Sequence, residues 1–163
     1  YNSVFTGVFN CPNLQTIGDD AFYNSVFTGV FNCPNLQTIG NAAFYYSKFT
    51  GDFECPNLTS VGDNAFFHSN FSGELNLPVC EQIGYDAFSS SNFSGELNLP
   101  VCTYIGSDAF FNSNFTQITI GANATLGENC IGAHKSEEFI QDYADNGKQA
   151  GTYVWSGEHW IYQ

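Results

Sequence analysis

Apolar and polar side chains alternate along short stretches of this chain, and the stretches recur at a fixed interval. In Gly73-Glu74-Leu75-Asn76-Leu77-Pro78 the alternation predicts a strand with Leu75 and Leu77 facing a core and Glu74 and Asn76 facing solvent. Pro78 ends the strand, because proline cannot donate to a ladder. A second inward position follows at Ile83, then Gly84 at a turn. In Asp86-Ala87-Phe88 the aspartate is placed to cap one short helical or 3₁₀ turn, and Phe88 drops back into the core. The whole pattern repeats every 22 residues, opened by Phe5, Phe27, Phe49, Phe71, Phe93 and Phe115. Five full units run without insertion, and residues 1–22 and 23–44 differ only at Asp19/Asn41 and Asp20/Ala42, as a recent duplication would leave them. The opening Tyr1-Asn2-Ser3-Val4 equals Tyr23 to Val26, and the chain has no Met, so its start is expected to lie inside a longer array.

A unit this thin cannot bury its own apolar face, so units must stack and share a core. Three columns fit that requirement: the opening phenylalanines; Ile17, Ile39, Val61, Ile83 and Ile105; and Phe22, Phe44, Phe66, Phe88 and Phe110. A period of 22 lies within the range of leucine-rich repeats. The expected fold is a right-handed leucine-rich-repeat solenoid of roughly five and a half coils, with a parallel sheet on one face and short 3₁₀ or helical turns and loops on the other. Deleting one position aligns Ile118 and Ile120 with the inward strand pair, Leu126-Gly127 with Ile-Gly and Cys130-Ile131 with Ala-Phe, which makes the sixth unit a degenerate terminal coil. Residues 136–146 read as a helix with Ser136 at the N-cap, Glu137 and Glu138 in the first turn, and Phe139 and Tyr143 on one face. Thr152 to Trp155 and Trp160 to Tyr162 read as two strands around Ser156-Gly157-Glu158-His159. The expected organisation is a solenoid over 1–133 and a C-terminal cap over 134–163.

The I-G-x-x-A-F segment at Ile17, Ile39, Val61, Ile83 and Ile105, preceded by a strand that ends in proline, resembles the BspA-like leucine-rich repeat family. The resemblance covers residues 1 to about 133. It implies a solenoid from a bacterial surface or secreted protein, with adhesion to host proteins or other cells as the expected role and an extracellular or cell-surface setting. Phe in place of Leu at the first position, and a further residue before Pro, shift the strand relative to the family pattern.

Charge narrows the partners. Sixteen acidic residues stand against three lysines, a net charge of -13. Lys48, Lys135 and Lys148 are far apart in sequence, which excludes phosphate-tracking nucleic acid binding and attraction to anionic membranes. No stretch reads as a membrane span, and the expected state is a monomer that binds a protein partner, of basic character if the acidic face is used.

The alternation directs Val8/Asn10, Val30/Asn32, Asp52/Glu54, Glu74/Asn76 and Glu96/Asn98 outward in two ladders. The first two coils are neutral there, whereas the next three carry carboxylates. The expected binding surface is therefore Asp52, Glu54, Glu74, Asn76, Glu96 and Asn98. Paired carboxylates at Asp52, Glu74 and Glu96 also allow a polysaccharide-active enzyme, and a spacer with no ligand is the third alternative. The chain offers no arginine or sugar-stacking aromatic on that face, so the reading is non-enzymatic, with no catalytic, metal or cofactor residues.

Six cysteines are an even number, yet Cys11, Cys33 and Cys55 fill the column of Leu77 and Leu99, and Cys80 and Cys102 that of Leu14, Leu36 and Leu58. Equivalent positions of stacked coils lie about 4.8 Å apart while disulfide Cβ atoms want about 3.8 Å, so free buried thiols are expected. No CxxC pair supports zinc, and neither an EF-hand loop nor a G-G-x-G-x-D repeat supports structural calcium. His68, His134 and His159 stand in unrelated contexts and read as surface or turn residues. The column Thr6, Thr28, Thr50, Ser72, Ser94 and Thr116 reads as turn chemistry.

Overall fold

The computed structural model describes residues 7–132 and 135–163, with the backbone alone of Gly51 and Asp52. The first three coils carry β1 (Phe9–Asn10), β2 (Thr16–Ile17), β3 (Phe31–Asn32), β4 (Thr38–Ile39), β5 (Gly51–Asp52) and β6 (Ser60–Val61). The next three carry β7 (Phe71–Asn76), β8 (Gln82–Ile83), β9 (Asn92–Leu99), β10 (Tyr104–Ile105), β11 (Asn114–Ile120) and β12 (Thr125–Leu126). Helix α1 (Ser136–Asp145) and strands β13 (Gly151–Trp155) and β14 (Trp160–Tyr162) complete the chain.

Each coil has three walls around the core. The first wall holds β5, β7, β9 and β11 in one parallel sheet, while β1 and β3 form a separate parallel pair. The second wall is a parallel sheet of the even-numbered strands from β2 to β12. On this wall the coils approach so closely that a Cβ added at Gly62 would meet Gly40 C and Asn41 N at 2.7 Å. Only glycine fits. Beside it, the Asn41 side chain accepts the N–H of Asp63 at 2.8 Å, and Asp63 accepts that of Tyr85 at 2.8 Å.

The third wall departs from the helical or 3₁₀ turn that the sequence suggests. Tyr23 N–H donates to Asp20 O at 3.1 Å and Ser25 N–H to Phe22 O at 3.0 Å, making two linked turns. Meanwhile Asp20, Phe22 and Asn24 donate across to carbonyls of Asn41, Ala43 and Tyr45 in the next coil. Those cross-coil bonds consume donors that a helix would use internally. The path needs φ between +50° and +65° twice per coil, at Asp20, Ala42, Asn64, Asp86 and Asp108 and again at Asn24, Tyr46, His68, Ser90 and Asn112. Asp86 is thus a left-handed turn residue rather than a cap, a conformation that Asp and Asn accept most readily among residues with a Cβ.

From the second coil's closing phenylalanine onward the core columns assemble as expected; Phe22 and Phe27 are half-buried against the core, and Phe5 and Thr6 lie outside the described residues. Phe44, Phe66, Phe88 and Phe110 are fully buried, and their rings stack with centroids 5.0, 4.9 and 5.2 Å apart. Cys33, Cys55, Cys80, Cys102 and Cys130 are buried among them, and all six thiols are free. The Thr/Ser column is not local turn chemistry in the later coils: Ser72, Ser94 and Thr116 lie within β7, β9 and β11. Thr50 and Thr116 hydroxyls donate to Thr28 O and Gly95 O of the preceding coil at 3.3 Å.

The C-terminal segment closes the array by joining its sheet. β13 pairs antiparallel with β11, Gln117 opposite Val154 and Thr119 opposite Thr152, and β14 pairs with β13. Helix α1 packs Phe139 and Tyr143 under this hairpin against Tyr153 and Trp160. Tyr143 Oη donates to Gly121 O at 2.7 Å and accepts from Ala124 N–H at 2.9 Å, so one side chain ties the helix to the sixth coil. Ser136 is not the N-cap. Lys135 holds that position without capping, and the Ser136 hydroxyl instead accepts the N–H of Ile131 at 3.1 Å. The lysine side chain is drawn to Asn114 Oδ1 at 3.0 Å and Phe115 O at 2.8 Å, over the Trp155 ring.

Candidate functional site

The outer face of the first wall carries the residues singled out from the sequence. Glu54, Glu74, Asn76 and Glu96 are exposed and Asn98 is half-buried, while Leu75, Leu77, Leu97 and Leu99 point inward at 1% exposure or less. The side chain of Asp52 lies outside the described residues, as does His134.

Two kinds of order hold the ladder. Asn32 Nδ2 donates to Asn10 Oδ1 at 3.0 Å, and Asn98 Nδ2 to Asn76 Oδ1 at 2.7 Å. The column continues through Thr119 and Thr152, whose hydroxyls bond at 2.9 Å. Glu54 interrupts this amide ladder with a carboxylate. The second kind of order is a bulge: Gly73 pairs with Phe93 but Leu75 with Leu97, so β9 spends two more residues than β7 over the same span. Gly95, at φ +81°, lies within this bulge, and a Cβ there would approach Glu74 Cγ to 3.3 Å. The missing side chain gives Glu74 its room.

Two shallow cavities result. One, of about 330 Å³, runs across Glu74, Asn76, Glu96, Asn98, Gln117 and Thr119. The other, of about 450 Å³, lies between the third and fourth coils and is lined by Phe53, Glu54, Cys55, Pro56, Glu74 and Asn76. The structure therefore brings together Glu54, Glu74, Asn76, Glu96 and Asn98. Among the described residues, the only aromatic lining either cavity is Phe53, itself 3% exposed and turned into the core.

The second cavity marks a break that the sequence does not announce. At the position where the other coils have their inward strand residues, Phe53 to Cys55 belong to no strand. The third coil pairs earlier instead, Gly51 with Phe71 and Asp52 with Ser72. Below the break, burial lifts the Cys55 thiol to about 12 and Cys33 to about 11, far from a reactive thiolate at neutral pH.

Sequence reasoning also missed an outer aromatic ladder on the turn wall. Tyr23 stacks on Tyr45 at 5.0 Å, Tyr45 on Phe67 at 4.9 Å and Tyr46 on His68 at 4.9 Å. Recurrence of aromatics at the repeat spacing was the available signal. Tyr23 and Tyr46 keep much of their surface exposed to solvent. At the other end of the chain His159 Nδ1 lies 3.6 Å from Asp142 Oδ1, beside the bond from Trp160 N–H to Asp142 Oδ2. Among the described residues no group of three side chains is arranged to hold a metal ion.

The family model described as "BspA type Leucine rich repeat region" matches residues 7–137 in six copies. No curated protein and no solved structure matches the chain.

Proposed function

The chain belongs to the BspA-type leucine-rich repeat family, and on that premise we propose that it is a non-enzymatic protein-binding module of a bacterial surface or secreted protein, acting in adhesion. Leucine-rich repeats generally mediate protein binding, and this repeat type usually comes from surface proteins. The observation that carries the reading is the gathering of Glu54, Glu74, Asn76, Glu96 and Asn98 on the outer face of one wall across three consecutive coils. Asp52 belongs to the same site by its place in the repeat. A solenoid wall of this kind offers a broad surface whose outward residues can change without disturbing the core. The site selects a partner with a basic face, because carboxylates spaced along it repel one another and are relieved by cations. The chain acts as a monomer at the cell surface or outside the cell, with 1–133 as the recognising array and 134–163 as its cap. No helix among the described residues is long and apolar enough to cross a membrane.

Immobilised host extracellular proteins, probed with the intact chain and with a Glu74→Lys/Glu96→Lys variant, test the reading. Salt-sensitive retention of the wild type, weakened in the variant at unchanged melting temperature, is expected. Equal retention of both chains at low salt moves the binding surface off this wall.

A further inference from the structure

Resting on the reading of this wall as a protein-binding surface, we propose that the notch between the third and fourth coils takes one extended, cationic segment of the partner, added as a strand along the free edge of β7. Beyond Ser72 the ladder between these coils stops. Among the described residues no backbone hydrogen bond joins Phe53–Cys55 to Glu74–Asn76. The direction of the vacant groups follows from the repeat. Leu77 N–H donates to Asn98 O and Cys11 N–H to Asn32 O, so each coil turns the carbonyl of its outward Asn toward the coil before it. Asn76 O accordingly faces the third coil, where Cys55 does not reach it. An unpaired run of donors and acceptors at a strand edge is a template for another chain.

The notch also states what that chain carries. Its volume of about 450 Å³ suits a short extended segment, and its rim holds the exposed carboxylates of Glu54 and Glu74, with Glu96 one strand further on. No lysine lines it. A strand places alternate side chains on one face, so Lys or Arg at every second position meets the carboxylates while the residues between them lie toward Phe53 and Pro56.

The probe is an N-acetylated, C-amidated (Lys-Val)₃ peptide, with a control of equal charge in which alternate backbone amides are N-methylated, read by fluorescence anisotropy at low salt. The intact chain is expected to bind the first at least tenfold more tightly than the second, with slowed hydrogen exchange at Glu74 to Asn76. Phe53→Leu keeps every charge and gives the third coil the inward residue of the fourth, so it is expected to close the notch and abolish binding; Glu54→Lys, which leaves the core alone, is expected to weaken it. Equal affinity for both peptides, or undiminished binding by both variants, overturns strand addition. If neither peptide binds while host-protein retention stays sensitive to Glu74→Lys/Glu96→Lys, strand addition fails and the surface reading stands. Loss of both results removes both.

Discussion

The first three coils and the last three share one repeat and build different walls from it. In β1, β3 and β5 the strands are two residues long; in β7, β9 and β11 they run to six, eight and seven. The inward strand pair is Phe/Cys in the first set, at Phe9/Cys11, Phe31/Cys33 and Phe53/Cys55, and aliphatic in the second, at Leu75/Leu77, Leu97/Leu99 and Ile118/Ile120. Parallel strands want about 4.8 Å between neighbours. Phe9 and Phe31 stack at 5.6 Å and keep a short ladder, whereas Phe31 and Phe53 stand 6.1 Å apart and have none between them. Branched aliphatic side chains have no stacking distance of their own and accept the backbone's spacing. An aromatic column thus sets the pitch of its wall, and an aliphatic column leaves the pitch to hydrogen bonds.

The sharpest way to break this contrast is to remove what closes the aliphatic half. Truncation after Ala133 strips β13 from β11 and exposes the free edge of the sheet. It should lower the melting temperature and promote end-to-end association, as analytical ultracentrifugation would show; a truncated monomer with an unchanged melting temperature would contradict the capping role.

Alkaline pH comes next and acts on both halves. Burial raises Cys55, Cys80 and Cys130 to about 12 and Cys102 to about 11. An unfolded thiol ionises near 8.5, so above that pH the unfolded chain has released protons that the folded chain still holds, and stability falls until the folded thiols ionise in turn. Each of the four contributes a loss of up to about 1.4 kcal/mol per pH unit within that window. Urea titrations from pH 7 to 10.5 should show a flat region followed by a steady decline.

Single core deletions compare the halves directly. Phe66, stacked on Phe44 and Phe88 and edge-on to Phe53 and Phe71, should cost about 4 kcal/mol as Phe66→Ala. Leu97→Ala in the aliphatic wall should cost about 3 kcal/mol. The reverse order in chemical denaturation would mean that the ring lattice adds little beyond area.

The smallest effect is a gain. Ala42 sits at φ +51° where the equivalent positions hold Asp20, Asn64, Asp86 and Asp108. Ala42→Asn should stabilise by about 1 kcal/mol, since alanine has no side chain to offset the left-handed conformation.

The fold was legible because its determinants are periodic. The phenylalanine spacing gave the coil, Leu75/Leu77 the inward face, and Phe139/Tyr143 the closing helix. Two features were hidden for physical reasons. Asp86-Ala87-Phe88 carries the residues of a helix start, and only the partner carbonyls of the next coil turn it into linked left-handed turns. The break at Phe53 depends on the spacing between rings, which is a property of two coils and not of either one's sequence. The acidic ladder could be placed on a face from alternation alone; its bulge at Gly95 and the notch beside Glu54 could not.

The bonds between coils carry a consequence for how such a chain changes length. Asp20, Ala42 and Asn64 each donate to the residue 21 positions on, and Phe22, Phe44 and Phe66 likewise, so the pattern on the turn wall is indifferent to which coil it joins. Duplicating a whole coil among the first two reproduces every one of these bonds and disturbs neither the notch nor the closing hairpin. Each such event moves the far end of the rod by about 4.8 Å. Reach is therefore a quantity that replication slippage can adjust in steps, while the acidic face of the later coils stays as it was.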